Sequence, residues 1–359
     1  MKVAIFHDYF GAIGGGERVA LQMAKILGAD IITTDTDAVR NIDPTVRVVS
    51  LGRTIKVPPL KQISAIIRFF SCDVSKTYDF FILSGNWAKF AARKHHPNMW
   101  YCHIILSDLY HQKSPVLHYQ NRVVRWGFGI GMFLLNYLDN LSTKWVDCIC
   151  ANSKNLQNKI EVQLGRTSEI LYPGIETSNF TYAGNENFWL SLNRLYPEKR
   201  IDLQIEAFRR LPEENLTIIG SYAEKDHASP YVKMIMQRLP GNVHVIGEVS
   251  ETEVQALLSR CKGLVCTSYH EPFGIAPLEA MASGKPVVAV NEGGYLETVT
   301  SDTGVLVEPD VKHIIDGIRL IGQDPAKYKE ACIERAKKFD IAFFQEKIHN
   351  IVSNCIRKG

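Results

Sequence analysis

Residues 263–298 read GLVCTSYHEPFGIAPLEAMASGKPVVAVNEGGYLET, and the reading of this stretch decides the fold. Leu264-Val265-Cys266 is a short apolar run that predicts a buried strand, and Thr267 to His270 is a polar loop. Glu271-Pro272-Phe273-Gly274 turns the chain. Ile275 to Ser283 then predicts a helix stopped at Gly284, and Pro286 to Val290 predicts a second strand. Asn291 to Gly294 is another turn, opening a further helix. Strand, helix and strand in this order make a βαβ unit and imply a parallel sheet. A helix start preceded by glycine offers unpaired backbone N–H groups and the positive end of a dipole, which suit an anionic or hydroxyl-rich ligand. Glu271 lies in the loop and Glu279 about one turn into the helix, so both can face the crevice at the carboxyl ends of the strands. The plain alternative is a crossover whose two acids are merely solvated.

Outward from this unit the same alternation repeats. Lys2 to Phe10 predicts a first strand, followed by Gly14-Gly15-Gly16-Glu17 and a helix to about Leu27. Glycines between strand and helix let the backbone approach a phosphate closely, although the GxGxxG fingerprint is absent. Further strands are expected over 29–34, 78–84, 98–102, 146–152, 187–192, 216–220, 243–247 and 303–307. Residues 311–359 are expected to be mostly helical. Ser153 and the Ser250/Glu253 pair have the spacing of helix N-caps. Asp35-Thr36-Asp37 has the form of a metal-binding DxD, but its place after the second strand favours a solvated turn. His103 stands at the carboxyl end of a strand, where ligands bind in α/β sheets. His95, His96 and His111 have no partner at ligand spacing and are expected on the surface.

The string from Glu271 to Glu279, with Pro-Phe-Gly after the first acid and EAMASGKPVV closing it, resembles the two-glutamate signature of retaining nucleotide-sugar glycosyltransferases of the group 1 type. The segment Arg194-Leu-Tyr-Pro-Glu-Lys199-Arg-Ile-Asp202 is similar to that family's second phosphate-binding segment. The resemblance implies an α/β, GT-B architecture of two facing Rossmann-like domains, with the active site in the cleft between them. Residues 1–173 would form the acceptor domain, residues 174–343 the donor domain, and a helix at 344–359 would pack back on the first. It implies that Arg194 and Lys199 oppose the charge of the departing diphosphate. Glu271 would hold the transferred sugar, Glu279 the ribose, and backbone groups at Phe273, Gly274 and Ile275 the diphosphate or sugar. Gly15 and Gly16 would approach the diphosphate, and Gly247 and Glu248 would lie beside the nucleobase. His103 would meet the sugar near the reacting carbon, with Asp108 and Tyr110 towards the acceptor. No residue is an obvious nucleophile, in keeping with front-face displacement, and closure of the two domains would exclude water. The donor is expected to be a UDP- or GDP-sugar, with GDP-mannose one choice, and the acceptor a glycan or lipid-linked oligosaccharide. No metal and no further cofactor is expected.

With 359 residues, a soft prior gives about two domains. A hydrophobic content of 46% with 22% charged residues is ordinary for a globular enzyme. The net charge of +3 is uneven. Residues 1–178 hold 20 Lys and Arg against 14 Asp and Glu, and the remainder 21 against 24. A basic first half suits an anionic acceptor or a membrane surface, but lacks the clustered stripe of a nucleic-acid binder. The stretches 55–70 and 126–138 are apolar, carry scattered cations and are too short to span a bilayer; each could be an interfacial surface or a plain core helix. The eight cysteines show no CxxC and are expected as buried free thiols in a reducing compartment. With no signal peptide seen, the expected location is cytoplasmic, with peripheral contact on the inner membrane face. Two other classes compete. A sugar-nucleotide epimerase of the same fold would need an acid/base pair beyond His103, and a non-catalytic sugar-nucleotide-binding subunit would not need Arg194 and Lys199 beside two glutamates. A nicotinamide oxidoreductase is disfavoured by the missing fingerprint.

Overall fold

A computed structural model describes residues 1–10, 14–36, 45–55, 60–106, 135–222 and 228–358. The described chain forms two units, each built on a parallel sheet. The first takes residues up to Gly174 together with the stretch from Ala342 onward, and the second takes Ile175–Ile341.

The first unit carries seven strands: β1 (Val3–Tyr9), β2 (Asp30–Thr34), β3 (Val48–Ser50), β4 (Phe80–Ser84), β5 (Asn98–Cys102), β6 (Cys148–Ala151) and β7 (Glu169–Ile170). Their order is β3-β2-β1-β4-β5-β6-β7, with every pairing parallel. The order reverses between β1 and β4, and the register there sets His7 opposite Ser84. Such a switch point leaves a crevice at the strands' carboxyl ends. Phe6, Phe81 and Trp100 fill the core from adjacent strands, and Phe69 of helix Leu60–Ser71 meets Phe6 edge-on. β4 and β5 are buried throughout, as expected of parallel strands covered on both faces.

The second unit carries β8 (Trp189–Leu192), β9 (Leu216–Ile219), β10 (Val243–Val245), β11 (Leu264–Cys266), β12 (Val287–Val290) and β13 (Gly304–Val307). The order is β10-β9-β8-β11-β12-β13, again wholly parallel, with its switch point between β8 and β11. Ser153 accepts from Leu156 N and Ser250 from Glu253 N, so both caps form as their spacing indicates. Helix Ile341–Lys358 belongs largely to the first unit, where it buries Phe344, Ile348, Ile351 and Val352.

Several expectations fail on physical grounds. Cys148 on β6 is bonded to Cys355 on the last helix, so the thiols are not all free. Their Cα atoms are 6.1 Å apart across 207 residues of sequence, a proximity that only the tertiary fold creates. Among the described cysteines the other six form no disulfide, Cys72 half-buried and the rest buried. His95 is not a surface residue: it is fully buried between Phe6 and Phe81, with ring centroids 4.8 Å from each. Burial pushes its pKa down, while Ala91 O and Val74 N satisfy its two nitrogens. His96 is exposed beside Asp147, and His111 lies outside the described residues. Asp35 is not solvated either; it is buried and accepts from the Thr54 backbone N–H and hydroxyl, while Asp37 lies outside the described residues.

Candidate functional site

In the second unit the loops after β8, β11 and β12 are knotted together by backbone and hydroxyl contacts. β8 runs into Asn193-Arg194 and then a single turn, Pro197–Lys199. Thr267, fully buried just after β11, donates its hydroxyl to Lys199 O at 2.8 Å and accepts from Gln204 Nε2 at 2.8 Å. Tyr269 N donates to Glu198 O at 2.7 Å. These bonds fix where the Lys199 side chain can go, and its Nζ lies 2.7 Å from Glu271 Oε2. Both side chains keep about one-fifth of their surface exposed, so the pair sits at the floor of an accessible site. Burial works to raise the pKa of Glu271, but Lys199, the Ser268 hydroxyl and Arg194 outweigh it and hold the carboxyl below its ordinary range. Two cations therefore flank one carboxylate beside the switch point.

A second pair lies alongside. Arg200, in the left-handed region at φ 48°, reaches Glu292 at 3.1 Å and stacks over Tyr269, its guanidinium 4.7 Å from the ring centre. Glu292 also accepts from His270 N at 3.3 Å. The loop after β12 comes very close to the Glu271 turn. Gly294 N donates to Glu271 O at 2.7 Å, and Gly293, at φ +60°, leaves no room for a side chain: a Cβ there would lie 2.3 Å from Glu271 O. Glycine is required at this position by both dihedral and space.

Gly274, at φ +90°, precedes helix Ile275–Ala282, whose first turn starts at the site. Glu279 on that helix is buried, 5% exposed. Phe273 is a packing residue: its ring is buried, 5.7 Å from that of Phe339. On the other side of the switch point, Gly220 N donates to Gly247 O at 2.8 Å and Ser221 Oγ donates to Glu248 Oε2 at 3.3 Å. Gly220 packs so tightly that a Cβ would overlap Asn193 O, which joins this corner to the Arg194 loop. Arg194, Lys199, Gly247, Glu248, Glu271, Gly274, Ile275 and Glu279 thus all belong to one unit, at the carboxyl end of its sheet.

The first unit has its own cluster at its own switch point. Helix Gly15–Leu27 opens there, with Gly14 N donating to Glu17 Oε2 at 2.9 Å. Gly16 lies against His103; a Cβ on it would be 3.8 Å from the imidazole. His103 Nε2 is 2.8 Å from Ser84 Oγ, which is 2.9 Å from His7 Nδ1. Burial, with His7 nearby, pushes His103 down to about 3, so the ring is neutral at ordinary pH. Asp8 accepts from the N–H groups of Asn86, Trp87 and Ala88 at 3.0, 2.9 and 2.7 Å. Burial nonetheless pushes its carboxyl up to about 6, against the lowering effect of His7 and those three donors. Gly15, Gly16 and His103 are brought together here, whereas Asp108 and Tyr110 lie outside the described residues.

The sequence reading missed His7, Asp8, Ser84 and Glu292. The available signal was position: His7 and Asp8 lie in the last three residues of β1, Ser84 ends β4 and Glu292 follows β12, all towards the carboxyl ends of the sheets. No group of three His, Cys, Asp or Glu side chains able to hold a metal occurs among the described residues. No helix of the described residues is long and apolar enough to cross a membrane.

Residues 177–339 match the family model of glycosyl transferases group 1. Among curated relatives, the human alpha-1,3/1,6-mannosyltransferase ALG2 is 28% identical over 257 residues, covering 62% of this chain and 62% of the relative. The chain thus spans just under two thirds of that relative's length. The ALG2 of Candida glabrata is 24% identical over 92% of this chain and 87% of its own. Among solved structures, Anabaena Alr3699/HepE in complex with UDP-glucose superposes with a TM-score of 0.78, covering 99% of this chain and all of that one at 21% identity. That likeness establishes the GT-B fold for the chain.

Proposed function

We propose a retaining hexosyltransferase that uses a nucleoside-diphosphate sugar, a reading supported by the match of residues 177–339 to the group 1 glycosyl transferase model and by the GT-B fold. The observation that carries this reading is the Lys199–Glu271 pair, 2.7 Å apart beside Arg194 at the second unit's switch point. Arg194 and Lys199 neutralise the departing diphosphate, so the reaction proceeds without a metal ion. Glu271 holds hydroxyls of the transferred sugar and balances charge on an oxocarbenium-like centre. Glu279 holds the ribose, the first turn after Gly274 and Ile275 receives phosphate or sugar oxygens, and Gly247 and Glu248 border the nucleobase. Within the first unit, Gly15, Gly16 and His103 are the residues we assign to substrate. No side chain acts as a covalent nucleophile; the leaving phosphate takes the acceptor's proton on the same face.

For the donor we favour GDP-mannose, in line with relatives named mannosyltransferases. For the acceptor we favour a lipid-linked oligosaccharide at the cytoplasmic face of a membrane. A groove of about 480 Å³ in the first unit, lined by Ile66, Ile67, Phe70, Phe90, Leu138 and Trp145, supports lipid contact. Ile63 and Ile67 are 42% and 58% exposed on one face of helix Leu60–Ser71, and Arg93, Lys94 and Lys144 are exposed around it. Apolar side chains ringed by cations fit the surface of an anionic bilayer.

A thermal-shift comparison of GDP, UDP, ADP and their sugars, with and without EDTA, tests the donor site. A ligand at 100 times its Kd adds about 2.7 kcal/mol of stability. The expected result is a shift by GDP and GDP-mannose that EDTA leaves unchanged and that Lys199→Ala loses. Stabilisation by no nucleotide would overturn the reading in favour of a non-catalytic role.

A further inference from the structure

The first unit buries a chain of hydrogen-bonding side chains that the proposed transfer does not by itself explain. His7 is 4% exposed near the end of β1, and Ser84, fully buried, ends β4 beside it. His7 Nε2 faces Glu17 Oε1 at 3.9 Å, His7 Nδ1 lies 2.9 Å from Ser84 Oγ, and Ser84 Oγ lies 2.8 Å from His103 Nε2. Asn152 Nδ2 donates to His103 O at 3.0 Å and so anchors the backbone of the last member. Four side chains, three from strand ends and one from a helix start, thus follow one another from Glu17 to His103.

The direction of the chain follows from donor and acceptor counts. A hydroxyl has a single proton, and a neutral imidazole has one donor and one acceptor nitrogen. At 3.9 Å Glu17 is beyond direct hydrogen-bond reach of His7, but its negative charge on that side favours the His7 proton on Nε2 over Nδ1. His7 Nδ1 is then the acceptor for the Ser84 hydroxyl, and Ser84 Oγ, having donated its proton, accepts from His103 Nε2–H. The second nitrogen of His103, Nδ1, is left with its lone pair, and it lies on the side where Gly16 carries no side chain. Among the described residues Nδ1 has no hydrogen-bond partner.

We propose that Glu17, His7 and Ser84 are positioning residues that lock His103 in its Nε2–H tautomer, presenting Nδ1 beside Gly16 to accept a hydrogen bond from a substrate hydroxyl. The second half rests on the transferase reading; the tautomer does not. The ionisable groups facing His103 are His7 and Glu17, with Tyr101 at 5.0 Å between ring centres, and Asp8 follows His7 along β1. A Cβ at Gly16 would make only ordinary contact with the imidazole at 3.8 Å, so it is atoms beyond Cβ that would compete for the Nδ1 side. The arrangement selects for a donating hydroxyl and against a second acceptor, because an acceptor facing a lone pair would be left unpaired.

The test is long-range 1H–15N NMR of the histidine side chains, with kinetics on the same variants. Wild type is expected to show His103 protonated on Nε2 and bare on Nδ1 at pH 7. Ser84→Ala is expected to give a mixture of tautomers, Ser84→Thr to restore the single one through its hydroxyl, and Glu17→Gln to weaken the preference. Transfer by Ser84→Ala is expected to fall roughly tenfold or more in kcat, with KM for the donor little changed, and Ser84→Thr to recover most of it. An Nδ1–H tautomer in wild type, or an unchanged tautomer in Ser84→Ala, overturns the lock. A lost tautomer with unchanged kcat overturns the role towards substrate. A correct tautomer response in a chain that transfers no sugar would leave the lock standing and refute the transferase reading instead.

Discussion

Replacing Lys199 with alanine separates its structural work from its chemical work. Its ammonium is 2.7 Å from Glu271, and both side chains are about four-fifths buried. Unit charges at that spacing attract by about 6 kcal/mol at an effective dielectric of 20, most of it offset by desolvating the two ends. The net coupling should fall between the exposed limit of about 0–1 kcal/mol and the buried limit of about 3–5 kcal/mol, hence roughly 1–2 kcal/mol. Lys199→Ala strands a carboxylate that burial already disfavours, so Glu271 loses its lowered pKa and titrates higher. Adding Glu271→Gln to Lys199→Ala should recover much of the lost stability, because the stranded charge is gone. The rate should not recover. Removing a preorganised group that faces developing negative charge costs roughly 10²–10³ in kcat, about 3–4 kcal/mol. Denaturant unfolding of the four proteins of the cycle gives the coupling, and initial rates give the chemical effect. Stabilities that add within about 0.5 kcal/mol, or a Lys199→Ala rate within a few-fold of wild type, would refute the reasoning.

Two titrations in the first unit give stability a pH dependence with opposing signs. His103 is held down to about 3, so between its ordinary value near 6.5 and that point the unfolded chain binds the proton first. Stability is therefore lost on acidification through this window, by at most about 1.4 kcal/mol per pH unit. Asp8, raised to about 6, acts the other way between about 6 and 4, where the folded state holds the extra proton. Urea unfolding from pH 7 to pH 4 should show a shallower loss in His103→Gln and a steeper one in Asp8→Asn, and identical slopes would contradict the assignment. At the groove, sedimentation with vesicles containing anionic phospholipid should carry down the wild type, Ile67→Asp should weaken this several-fold, and neutral vesicles should bind little. Equal binding to neutral and anionic vesicles would contradict the part given to Arg93, Lys94 and Lys144.

The sheets were legible because parallel strands buried on both faces read as apolar runs, as in 80–84 and 287–290, with glycine-punctuated loops after them. The short edge strands Val48–Ser50 and Glu169–Ile170 escaped, since three and two residues carry no readable period. The Glu271–Glu279 segment was legible because its chemistry lies within one contiguous string. The ties between His7 and Ser84, Arg200 and Glu292, and Cys148 and Cys355 join residues 77, 92 and 207 positions apart. Only the strand order brings them together, and composition is blind to it. His95 shows the same limit from the other side: just past the turn Ala88–Arg93 it is buried against Phe6 and Phe81, whereas the adjacent His96 is exposed beside Asp147, and neither outcome is readable from the His-His pair itself.

The most direct measurement is transfer itself. The purified chain is incubated with GDP-mannose and a short polyprenyl-linked oligosaccharide in the presence of EDTA, and the product's anomeric carbon is assigned by NMR. The account requires a new glycosidic bond with the donor's α configuration, formed equally well without free metal, and lost in Lys199→Ala. A β-linked product, or activity abolished by EDTA and restored by a divalent cation, would contradict it.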